Sequence, residues 1–183
     1  MTAKRKRTVP VWSDVKARLI AFDHAGLLGL IHDLYVASKD NQTFLHARFG
    51  LGSDVLKPYK VAIDRWLSPD VFKDQSPSIA KVKKTIADYT KAIGRPEGIA
   101  ELRVYYCERA IEFCRDVGVY DEVYLVAVVR MFASALKMAV SLAEPQRALI
   151  LARLDKVRGL SHECGYGVGF ELEDLFDSYV GGG

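Results

Sequence analysis

The chain carries only three cysteines among 183 residues. An odd and sparse count builds no disulfide framework, and it points to a reducing compartment with unpaired thiols. Metal-ligand spacing is also missing: there is no CxxC, HxxxH or HExxH anywhere in the sequence. No apolar stretch reaches the roughly 18 residues that a membrane span needs. The best candidate, residues 123–129, is closed by Arg130, and Lys137 follows soon after. At the N-terminus Pro10, Ser13, Asp14 and Lys16 break the charged-then-apolar order of a signal peptide. The expectation is therefore a cytoplasmic protein with no membrane partner. No convincing pair of strands is present either, which removes sheet-based folds.

What the chain does contain is ordinary globular material, 50% hydrophobic and 27% charged. A chain of this length buries roughly 70% of its unfolded surface, so it needs no metal or disulfide for stability. The net charge is +3, and Lys4, Arg5, Lys6 and Arg7 supply four of the positive charges. Taking those four from the 26 basic residues leaves 22 against 23 acidic ones. The body thus shows no general basic excess of the kind a nucleic-acid-binding surface carries. Residues 1–12 read as a flexible basic tail, either simply solvated or a weak phosphate-binding arm.

Residues 13–180 read as one helical domain. Ser13 and Asp14 resemble a helix start, and Asp23 is a plausible cap for the next helix. That helix carries Leu27, Leu28, Ile31, Leu34 and Tyr35 at the spacing of one buried face. It is expected to end near residues 39–41, followed by a third piece over 43–49. Pro58 opens a helix with the stripe Tyr59, Ile63 and Trp66, and residues 71–76 read as a polar loop. Pro77 opens the clearest pattern, Ile79, Val82, Ile86, Tyr89 and Ile93, with Lys81, Lys84, Asp88 and Lys91 opposite. Gly94 and Pro96 then separate it from a helix lined by Ile99, Leu102, Tyr106, Ala110, Phe113 and Val117. Asp121 caps a segment to about residue 143 that is apolar nearly all round, as a central helix is. Residues 144–145 start another helix with Ile150, Leu154 and Val157, and a last one carries Leu172, Leu175, Phe176 and Tyr179. Successive helices on short turns must pack as antiparallel neighbours.

Two stretches carry a resemblance. LLGLIHDLYVASKDNQTFLHARF, residues 27–49, resembles small helical bacterial proteins of families of unknown function. KVKKTIADYTKAIGRPEGIAELRVYYCERAIEFCRDVG (residues 81–118) together with GYGVGFELEDLF (residues 165–176) resembles proteins with an α–α superhelix of the HEAT or armadillo kind. The resemblance implies stacked antiparallel helix pairs and brings no activity with it.

The groups able to do chemistry are scattered. Cys107 and Cys114 sit seven residues apart on one helix, so about 10.5 Å separates their backbones, too far for two ligands of one zinc ion. They and Cys164 read as small buried hydrophobes, and no metal or cofactor is expected. His24 and His32 are about 12 Å apart along a helix and read as surface residues. His162 or His32 could activate a cysteine, with a carboxylate such as Asp33 or Glu163 as orienter, but nothing in the sequence assembles them. Gly165, Gly167 and Gly169 form GxGxG with Phe170 where a dinucleotide fingerprint needs glycine, and no strand precedes it. This segment reads as a tight turn using positive φ.

One cluster is a candidate recognition groove: Tyr105, Tyr106 and Glu108, with Arg103 and Arg109 nearby, facing His162, Glu163 and Tyr166. The plainer reading puts Tyr106 in the core and leaves Glu108 and Arg109 as solvated charges. Three functions follow. The first is a non-enzymatic adaptor binding a protein or peptide. The second is a nucleic-acid-associated factor using Lys4, Arg5, Lys6 and Arg7, helped by Lys81, Lys84 and Lys91. The third is an enzyme built on Cys107 and His162.

Overall fold

The computed structural model describes residues 9–52, 54–69, 75–118 and 121–181. Among these every regular element is a helix: α1 (Trp12–Leu19), α2 (His24–Ala37), α3 (Lys39–Phe49), α4 (Lys57–Leu67), α5 (Ile79–Ala92), α6 (Pro96–Val117), α7 (Glu122–Ala139), α8 (Gln146–Ser161) and α9 (Val168–Val180). The all-helical reading holds among them, with helices packed in pairs. The basic residues of the tail at 4–7, and most of the loop read over 71–76, lie outside the described residues.

The chain divides into two compact units, residues 1–45 and 46–183. The sequence reading over 13–180 drew no boundary near residue 45. In the first unit Asp14 and Asp23 both act at helix starts. Asp14 accepts a hydrogen bond from the Val11 amide at 2.9 Å, so α1 begins at Trp12, just ahead of Ser13. Asp23 accepts from the Gly26 amide at 2.7 Å and starts α2. The end of α2 comes earlier than residues 39–41. Ser38 is extended, its hydroxyl accepts from the Asn41 amide at 3.2 Å, and the Asn41 side chain donates to the Leu34 carbonyl at 2.6 Å. These two bonds satisfy the last turn of α2 and the first of α3, so α3 follows directly after one break at Ser38 and starts ahead of the expected residue 43. The expected buried face of α2 is not buried. Neither α1 nor α2 buries any residue, and Trp12 (68%), Ile20 (77%), Leu28 (55%) and Leu34 (52%) are more than half exposed.

The second unit holds the core. Tyr59, Ile63 and Leu67 of α4 face Val82, Ile86 and Tyr89 of α5, and the Tyr59 and Tyr89 rings meet edge to face at 5.2 Å. Gly98, in the first turn of α6, lies so close to the Tyr89 hydroxyl that a Cβ would collide with it. α6 buries the expected stripe from Ile99 to Phe113, and also Val104, Cys107, Ile111 and Cys114. It is buried on more than one side because α4, α5, α7 and α8 all pack against it. Val117 is an exception and is exposed in the last turn, where Gly118 takes φ 67° and ends the helix. α7 is as apolar as expected and closes at Ala139, about a turn before residue 143.

The pairing has an alternating order. α4 packs on α5, α6 on α7 and α8 on α9, while α4, α6 and α8 also pack successively and α7 packs on α9. α5 and α7 are not close neighbours in this way.

Candidate functional site

Two polar features flank α6. The first lies where its outer side meets α4 and α8. Arg153 of α8 donates to both Glu108 oxygens, each at 2.7 Å, and also to Glu101. Lys60 of α4 pairs with Glu101 at 2.6 Å and sits 5.1 Å from the Tyr105 ring centre. The Tyr105 hydroxyl donates to Asp64 at 2.7 Å, and the Arg109 Nε donates to the other Asp64 oxygen at 3.0 Å. Burial by itself would raise the Glu101 pKa, yet the hydrogen bonds from Arg153 and Lys60 prevail and hold it below its ordinary value. Burial, then the hydrogen bond to Asp64, push Tyr105 up to about 12. Every carboxylate on this face of α6 that reaches α4 or α8 already has its cation.

The residues of the expected groove are therefore divided. Tyr105 and Glu108 belong to this network. Tyr106 is fully buried and cannot line a groove, because it stands on the same stripe as Leu102 and Phe113, about 100° around the helix from Tyr105. Its hydroxyl has no hydrogen-bond partner among the described residues. His162 lies at the turn between α8 and α9, edge-on to Phe170 at 5.5 Å and 3.7 Å from Glu173. Glu163 pairs with Arg115 at 2.6 Å. Tyr166 is 63% exposed and takes φ +60°, rare for a side chain of its size. The glycine turn is thus only partly what its letters predict. Gly167 uses positive φ, but Gly169 is buried against His162, where a Cβ would lie 2.8 Å from the His162 Cα.

The thiols are all buried. Burial pushes the Cys107 pKa well above its usual value, and no hydrogen bond joins Cys107 to His162. Cys164 shares a hydrogen bond with Cys114, and burial raises its pKa to about 12. His24 and His32 are exposed on α2. Among the described residues no group of three His, Cys, Asp or Glu side chains is placed to hold a metal ion, and no helix is long and apolar enough to cross a membrane.

The second feature opens on the other side of α6, between α5 and α7. It is a cleft of about 460 Å³ with Ile86 and Met131 among its apolar lining. Lys83 and Lys91 of α5, Arg103 of α6 and Arg130 of α7 all line it, and among the described residues no carboxylate does. Arg103 is half-buried, and its guanidinium donates to the Ser134 carbonyl at 3.1 Å. That burial lowers its pKa. The sequence held a faint sign of this cleft: Lys83 and Lys91 stand eight residues apart on one helix side, and Arg130 interrupts the most apolar segment of the chain. Two of the three lysines singled out from the sequence are otherwise engaged. Lys84 pairs with Asp88 at 2.6 Å, and Lys81 sits 3.6 Å from the Trp66 ring centre. Of those three, only Lys91 reaches the cleft.

Comparison with protein-family models, curated proteins and solved structures gives no match for this chain.

Proposed function

We propose that the protein is a non-enzymatic adaptor that inserts α2 into an apolar groove of a partner protein. The observation that carries this reading is the exposure of Leu28, Ile31 and Leu34 on a helix that buries none of its residues. An amphipathic helix recognised in a groove presents anchors at i, i+3/i+4 and i+7, and Leu27, Ile31 and Leu34 have that spacing. Scattered exposed leucines need no explanation, but a helix with every large apolar residue at least partly open does. In the second unit, the alternation of α4, α6 and α8 with α5, α7 and α9 supports reading the pairs as turns of an α–α superhelix of the HEAT or armadillo kind.

A photo-crosslinking amino acid at position 28 tests the adaptor reading in the native cells. The expected result is a discrete adduct with another protein, absent when the same probe replaces Val61 or Val123, which are exposed in the second unit. An adduct only with a second copy of the chain, or equal labelling from all three positions, rejects it.

A further inference from the structure

The structure assigns the α5–α6–α7 cleft as a binding site for a small organic phosphate, with the phosphoryl group held by Arg103 and Arg130 and the organic part on Ile86 and Met131. The site shares no residue with the exposed face of α2, and the inference stands without the adaptor reading.

Charge is the first ground. Several cations of the second unit pair with carboxylates: Lys60 and Arg153 with Glu101, Arg109 with Asp64, Arg115 with Glu163, Arg158 with Asp155. Lys83, Lys91, Arg103 and Arg130 line one cleft, and none of them forms an ion pair with a described residue. Like charges gathered without counter-charge repel one another, and a bound anion relieves that cost.

Arg103 is the second ground. A guanidinium carries five N–H donors in a fixed fork suited to phosphate and carboxylate oxygens. Here it is half-buried, and its one hydrogen bond to a described residue goes to the Ser134 carbonyl. A neutral acceptor does not compensate a desolvated charge, and the depressed pKa expresses the same deficit. An anion in the cleft would supply the missing partner.

Size and lining give the ligand class. A cleft of about 460 Å³ falls in the range of small-molecule sites. Its cations come from three helices and converge on one space, whereas a nucleic-acid surface spreads them along a stripe. Four cations fit the double charge of a phosphate monoester better than a single carboxylate. The apolar side chains beside them favour a ligand with an organic body over bare phosphate.

Phenyl phosphate is the probe, titrated calorimetrically into the full-length protein at low ionic strength, with benzoate, inorganic phosphate and a duplex DNA oligonucleotide as comparisons. Saturable binding of phenyl phosphate at one site is expected, with benzoate and inorganic phosphate weaker. Arg103→Met should weaken it at least about 10-fold, as removal of a partly buried charge partner does. Arg130→Gln should weaken it by a smaller factor. A Lys83→Gln/Lys91→Gln double variant, altered only at exposed positions of α5, provides a third reading should Arg103→Met fail to fold. Absence of saturable phenyl phosphate binding overturns the assignment. So does binding that neither the arginine variants nor the lysine pair weakens. Displacement of phenyl phosphate by duplex DNA at far lower concentration replaces the small ligand with a nucleic acid.

Discussion

Helices α2 and α8 make an instructive pair. Both carry aliphatic residues at three- and four-residue spacing, and α2 is the more apolar of the two. Yet α8 buries Ile150, Leu154 and Val157, while α2 buries nothing. The difference lies in their neighbours: α8 packs on α6, α7 and α9 within one unit. Periodicity determines which side of a helix avoids water. It does not determine what covers that side, and the covering is where the stabilisation arises.

The sharpest way to break this contrast is to remove a leucine from each helix. Leu154→Ala should cost about 3–4 kcal/mol, because a fully buried leucine leaves both lost transfer energy and a cavity. Leu34→Ala should cost no more than ~0.5 kcal/mol, the usual range at exposed positions. Urea denaturation of the two variants checks this, and similar losses would show that α2 is covered after all.

A smaller effect is expected from the charge network. Arg153→Met leaves Glu101 and Glu108 without their shared cation, at a cost of about 1–2 kcal/mol once partial exposure is allowed for. The pH dependence carries a sign. Glu101 has a depressed native pKa, so its contribution is complete above the ordinary value of 4.5 and is lost as pH falls through the native value. The deficit of the variant should therefore be largest near neutrality and shrink in acid, measured as urea midpoints across pH.

The smallest effect tests strain inside the packed unit. Tyr166→Gly should stabilise the fold by about 1 kcal/mol, since glycine adopts positive φ without the penalty a tyrosine bears. Thermal melts of the variant and the parent decide it.

Much of the helical order was readable from the letters. Pro58, Pro96 and Gly118 stand at helix ends as expected, and Asp23 and Asp121 cap their helices through their side chains. These signals are local, and a few hydrogen bonds are enough to make them decisive. The break at Ser38 was misplaced because it depends on Asn41 reaching back seven residues to Leu34. The site was less legible. Tyr106 is buried, as the plainer reading of its stripe had it, and not in a groove. Glu108 looked like a solvated charge until Arg153, 45 residues away, supplied its counter-ion. The cleft needed residues from three helices to meet, and no spacing within one helix encodes that.

At position 98 the fold leaves room for a hydrogen atom and nothing larger. The phenol oxygen overhead belongs to a ring that in turn braces a second phenol on α4. A methyl group there would be felt first by α5 and then by α4, like a shim slipped under a hinge. Three helices thus share one tolerance, and substitutions tested at any of these three positions should be judged together, since none of them acts on its own helix alone.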